Sequence, residues 1–303
     1  MNARDWTLIA LLSVLWGGSF FFVEIAVQGI SPLTVATGRV GLGAAALLLF
    51  VRLRGETMPV AWRAWMLFLV MGALNNVVPF TLIAWAQTEI ASGLAAILNA
   101  TTPLFTVVLA HVLTGDERMT LGKLAGVLIG LAGVAVLIGP QALRDFDVRD
   151  LAQVAVLGAA ASYALAGIFG RRLKPYASPV AAAGMLAGST VILLPVTLVL
   201  DQPFAMTIDG RGVFAMLGLA LLSTALAYLI YFRVLATAGA TNLLLVTFLI
   251  PITALALGTF ILGEMLSWTA IAGMGLIFVG LAAVDGRVLR IFGQKSGQRR
   301  SSI

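Results

Sequence analysis

The sequence predicts an all-α integral membrane protein. Ten transmembrane helices form two inverted-topology five-helix repeats (5+5), with the N- and C-termini cytoplasmic. Three observations carry this. Of 303 residues, 60% are hydrophobic and 11% charged, against about 25% charged in a typical soluble domain. Lys and Arg crowd one side of the apolar segments. The second half of the chain repeats landmarks of the first.

A mean hydropathy of +1.04 fits many membrane spans. A spanning helix takes about 20 apolar residues, so ten use about 200 and leave short loops. The apolar runs are continuous, whereas a membrane β-barrel alternates apolar with polar positions. Low charge and high hydrophobicity also exclude a disordered chain. The expected spans are Trp6–Gln28, Pro32–Arg52, Trp62–Ala84, Ser92–His111, Leu121–Ile138, Leu151–Phe169, Ser178–Leu200, Gly212–Val234, Thr241–Leu262 and Trp268–Val284. The first is too long for a signal peptide and lacks a clear small-residue cleavage site.

With the N-terminus inside, fifteen Lys and Arg fall on the inner side and three, Arg144, Arg149 and Arg211, on the outer side. Arg39 is embedded in the second span. The positive-inside rule then places both termini in the cytoplasm. This asymmetry explains the pI of 10.3 without a nucleic-acid partner. The basic tail, Arg287 to Arg300, is expected to contact anionic lipid headgroups.

Ser31-Pro32 recurs as Ser178-Pro179, 147 residues on. At that offset Trp16 meets Tyr163, Glu117 meets Glu264, Gly126 meets Gly273 and Gly133 meets Gly280. Pro103 and Pro251 stand 148 apart. The expected division is residues 1–143 for the first repeat, 144–286 for the second and 287–303 for the tail. Five spans per half is an odd number, so the second copy enters from the opposite side. Inverted repeats suit alternating access around a central site.

The LWGGSFFF stretch in the first span, Arg39 in the second and the Pro…GE…G…G pattern closing each half resemble the EamA group of the drug/metabolite transporter superfamily. Within it the chain is similar to the YddG-type exporters of aromatic and other amino acids. The resemblance covers nearly the whole chain. It implies ten helices in two inverted halves, a central cavity, and export of small metabolites across the cytoplasmic membrane of a bacterium.

The candidate substrate residues are Trp16, Ser19, Asn75, Asn76, Asn99, Tyr163, Thr224, Tyr228 and Thr247. Trp16 lies ten residues past Trp6, about 15 Å along a helix. It is either a packed contact or a cavity wall. Asn75 and Asn76 sit mid-span, where unpaired amides are costly. Their counterparts Ser223 and Thr224 are also polar, which suggests a shared wet surface or interhelical hydrogen bonds. Pro79, Pro103 and Pro251 mark candidate kinks, the last two expected as a matched pair.

Arg39 demands a partner. Glu24, helix carbonyls or a substrate carboxylate could serve, or its side chain could snorkel. Glu24 itself suits a headgroup position or a coupling role. Gly122, Gly126, Gly130 and Gly133 form a close-packing stripe. Glu117 and Glu264 read as caps or interface pairs, with substrate binding as the alternative, and His111 as interfacial.

One His and no Cys exclude multi-His and thiolate metal sites and a Cys nucleophile. No phosphate-binding loop is present, so neither a cofactor nor an enzymatic activity is expected. The expected partners are a small-molecule substrate and the bilayer; a monomer is compatible with the sequence. A cationic drug calls for an embedded acid, and a sugar nucleotide for several bases. A small zwitterion suits these residues better. Uniport, exchange and proton coupling stay undecided.

Overall fold

The computed structural model describes residues 3–115, 118–139, 147–203, 206–243 and 245–285. Glu117 and the basic tail lie outside the described residues. Ten helices follow in order: α1 Ala3–Ala26, α2 Pro32–Leu53, α3 Trp62–Ala86, α4 Ser92–Leu113, α5 Leu121–Ile138, α6 Val148–Leu173, α7 Ser178–Leu200, α8 Gly210–Gly239, α9 Leu245–Ile261 and α10 Trp268–Asp285. Among the described residues, nine are long and apolar enough to cross a membrane, and α9 is a shorter apolar helix. Gly239, at φ 80°, turns the chain out of α8, and residues 240–243 are already helical again. That backbone conformation favours glycine, which has no Cβ to clash.

Local chemistry sets the helix starts. Ser31 accepts the Thr34 N–H ahead of Pro32, Thr120 accepts the Lys123 N–H, and Asp147 with Asp150 forms a capping box. Each satisfies a donor that the first turn leaves orphaned.

The two halves interlock rather than pack separately. Helix α1 lies on α8 and α9, and its repeat mate α6 lies on α3 and α4. Helix α2 packs on α7 and α8, and α7 on α2 and α3. Exchanging the halves maps this contact set onto itself.

The mated pairs α2–α7 and α5–α10 show how the halves are related. Thr37 bonds Thr197 while Gly43 lies near Leu186, so α2 and α7 run antiparallel. In the second pair, a Cβ on Gly126 would stand 2.6 Å from the Gly280 carbonyl oxygen, and one on Gly133 would stand 2.8 Å from that of Gly273. These helices are antiparallel too. Repeat mates that run in opposite directions define an inverted repeat. The contact is reciprocal, because Gly126 is the repeat mate of Gly273 and Gly133 of Gly280. Close approach of backbones replaces the hydrophobic drive that lipid does not supply. Of the remaining stripe, Gly130 faces Leu104 of α4, and Gly122 has open space around it.

Single-cysteine variants of this Cys-free chain test the orientation. Gly55→Cys, in the α2–α3 loop, is expected to react with an impermeant maleimide only in inside-out vesicles. Gly29→Cys, at the other face, is expected to react in intact cells. The reverse pattern would place the termini outside.

Candidate functional site

The third helix of each half is widened at the same point. Helix α3 takes a π turn over Ala73–Val77 and α8 over Gly218–Leu226. The Val78 N–H therefore reaches the Ala73 carbonyl, five residues back. In that register Pro79 should serve the Leu74 carbonyl, but proline has no N–H. Ser162 of α6 donates to it instead, at 2.7 Å. The two π turns carry Asn75 and Asn76 on one side, Ser223 and Thr224 on the other. Asn75 lies 13 residues into α3, about 20 Å along a helix at ~1.5 Å per residue, which is close to the membrane centre.

A hydrogen-bonded seam joins these helices across the pseudo-twofold axis. Asn75 Nδ2 donates to the Tyr228 hydroxyl at 2.8 Å, and Tyr228 donates to Asn76 Oδ1 at 3.0 Å. Asn76 Nδ2 donates to Ser189 Oγ of α7 at 2.9 Å. Asn76 is fully buried, so it holds helices together and does not face a cavity. Asn75 is half-buried and keeps its carbonyl Oδ1 free of protein donors among the described residues.

Arg39 stands beside this seam. Its Nε donates to Thr224 Oγ1 at 2.9 Å, and its guanidinium carbon lies 3.7 Å from the centre of the Phe80 ring. Tyr163 and Tyr228 are its electrostatic neighbours. Glu24 is not its partner: Gln87 Nε2 holds Glu24 at 3.2 Å and the Phe20 carbonyl at 2.8 Å. Glu24 lies near the end of α1, with Glu264 nearby. Sequence position suggested the Arg39–Glu24 pair, but helical depth separates the two residues.

Aromatic rings extend the site. Trp16 lies 5.6 Å from Tyr231, which meets Phe232 edge-on, and Phe232 stacks near Tyr228. Trp16 is half-buried, and its indole N–H has no hydrogen-bond acceptor among the described residues. Tyr163 packs against the two largest apolar clusters at once. Trp16, Asn75, Asn76, Tyr163, Thr224 and Tyr228 are thus linked through shared contacts and electrostatic neighbours.

Other sequence-chosen residues stand apart. Ser19 is buried one turn from Trp16 and makes no side-chain hydrogen bond to the seam. Asn99 Oδ1 is buried without a hydrogen-bond partner among the described residues. Thr247 is half-buried on α9.

The two later prolines sit differently in their helices. Helix α4 breaks at Ala100–Thr101, where the Thr102 hydroxyl takes the Asn99 carbonyl that Pro103 cannot serve. Helix α9 continues through Pro251, and its π turn comes later, at Gly258–Leu262. Sequence reasoning left Phe80, Ser162 and Ser189 out of the site; Tyr231 stood out beside Tyr228 on the same span but was not among the candidate substrate residues. A hydroxyl in an otherwise apolar span was the available signal for the two serines; Phe80 carried none.

No cluster of three or more His, Cys, Asp or Glu suited to a metal occurs among the described residues. Glu264 is a cap. Its Oε1 accepts from Ser92 N and Oγ, and its Oε2 accepts from Gly93 N, at the start of α4.

Fold and site together define a multi-pass membrane protein with a polar seam between inverted repeats. The chain belongs to the EamA-like transporter family, whose model matches residues 6–139 and again 151–284. It is a transporter of that type. A relative from Escherichia coli (strain K12) named "Probable amino-acid metabolite efflux pump" is 27% identical, covering 93% of this chain and 94% of its own length. The "Uncharacterized inner membrane transporter YedA" of the same organism is 27% identical over 90% of this chain and 88% of its own. An "Uncharacterized transporter" of Archaeoglobus fulgidus is 25% identical, covering 93% and 98%. A crystal structure at 18% identity shares the fold, with a TM-score of 0.66 over 94% of this chain and 98% of that one.

Removing the Ser162 hydroxyl tests the repair at the π turn. Ser162→Ala leaves a buried carbonyl unpaired, which costs about 1–3 kcal/mol. Its Tm in detergent is expected to fall measurably. Ser19→Ala, which breaks no such bond, is expected to leave Tm unchanged.

Proposed function

We propose that this protein is a secondary transporter exporting neutral amino acids, aromatic ones included, across the cytoplasmic (inner) membrane by alternating access. The observation that carries the reading is the seam at the mirrored π turns. Polar residues from α3, α7 and α8 converge there beside Trp16 and Tyr231, at mid-membrane depth. Irregular backbone at that depth is tolerated where protein buries it or where it lines a wet cavity. Polar hydrogen-bonding groups beside aromatic rings fit a zwitterionic head and an apolar side chain.

The relative named as an amino-acid metabolite efflux pump supports the substrate class. A cationic drug fits less well, because no carboxylate takes part in the seam among the described residues. Glu24 and Glu264 bind groups at helix ends instead. That arrangement favours uniport or exchange over a carboxylate proton relay. The basic segment 287–303 completes the picture as a cytoplasmic contact with anionic lipid.

Purified protein in liposomes is expected to give saturable flux of phenylalanine, tryptophan, methionine or threonine that empty liposomes lack. Trp16→Ala is expected to lower it roughly tenfold, equivalent to about 1.4 kcal/mol. An imposed pH gradient is expected to leave the rate unchanged. No amino-acid flux from folded protein would overturn the reading.

A further inference from the structure

Arg39 is 7% exposed, yet the fold does not neutralise it. A guanidinium carries five N–H donors. One is used, by Thr224. The four on the two terminal nitrogens have no hydrogen-bond acceptor among the described residues. The Arg54–Glu56 ion pair lies in the α2–α3 loop, away from Arg39. Other carboxylates are already engaged: Glu24 by Gln87, Glu264 by Ser92 and Gly93, and Asp201 by Ser31 and Thr34. An uncompensated buried charge is costly, and in membranes it marks a functional position.

Symmetry sharpens the point. The devices that hold this fold together recur in both halves: the π turns, the glycine contacts, the antiparallel pairs. Arg39 does not. Its repeat counterpart is Leu186, a fully buried core residue. A charge present in one half only suits a ligand that binds in one orientation.

We infer that Arg39 is the carboxylate subsite of the transport site and confines its substrates to molecules bearing a carboxylate. This rests on the reading that the midplane seam holds the substrate. Phe80 against one face and Thr224 at Nε fix the plane of the guanidinium and leave its outer edge to accept a carboxylate in bidentate fashion. Asn75 Oδ1, bridged to this region through Tyr228, is a free acceptor for the ammonium.

The test is phenylalanine flux in proteoliposomes, competed by 3-phenylpropionate, which lacks the ammonium, and by phenylalaninamide, which lacks the carboxylate. In wild type the carboxylate is expected to compete at least about 30-fold better than the amide, as loss of a buried charge-paired contact implies. Arg39→Gln is expected to bring that ratio near one, and Arg39→Lys to restore part of it. Equal competition in wild type, or an unchanged ratio in Arg39→Gln, overturns the subsite. If Arg39→Gln does not fold, the wild-type ratio decides. Should wild type move no phenylalanine, the transport reading fails. Calorimetric binding of the two analogues to purified protein then decides the subsite, by the same preference or its absence.

Discussion

Hydrocarbon offers no water to an unpaired backbone group, and the two breaks at Pro79 and Pro103 are built around that constraint. Pro79 and Pro103 each remove a donor, and each of these two orphaned carbonyls is taken by a nearby hydroxyl. Ser162 reaches across from α6 to Leu74, while Thr102 serves Asn99 from within its own helix. The cross-helix repair is the more consequential. It ties the π turn of α3 to the helix that carries Tyr163, so backbone relief and site assembly become one contact.

The same economy governs the packing. Lipid gives helices no hydrophobic reason to associate, so close backbone approach and hydrogen bonds must hold them. Reciprocal glycine contacts lock α5 to α10, while Thr37–Thr197 and Asn76–Ser189 tether α7 to α2 and α3. Because these ties run between the halves, neither half has a core of its own. The midplane seam departs from this symmetry. Trp16 turns to Tyr231, whereas its counterpart Tyr163 lies close to Arg39.

Spans and repeat were legible in the sequence because apolar length and a fixed offset survive divergence. The pairing of Gly126 with Gly273 and of Gly133 with Gly280 as repeat mates foreshadowed a contact, though not its crossed form, Gly126 on Gly280 and Gly133 on Gly273. Asn75, Asn76 and Tyr228 stood out because amides and phenols are rare at mid-span. Their exact partners did not, since a π turn shifts the helix face by one residue and leaves no compositional mark. The same shift separates Asn76, which is sealed, from Asn75, which keeps a free carbonyl. For Arg39, proximity along the chain pointed to Glu24, and only three-dimensional depth showed Gln87 taking that carboxylate. Pro103 and Pro251 match in sequence, yet one helix breaks and the other continues.

At the membrane face where α1 ends, three sets of polar contacts join the helix ends. Gln87 joins α1, Glu264 caps α4, and Asp201 accepts from Ser31 and Thr34. Alternating access requires this face to open and shut while the midplane seam stays in place. The direct measurement is flux through a Ser92→Cys/Glu264→Cys variant of the Cys-free chain, linked by a short bifunctional methanethiosulfonate. Alternating access predicts that linking stops flux and that a reductant restores it. Transport by the linked protein at the unlinked rate would contradict it.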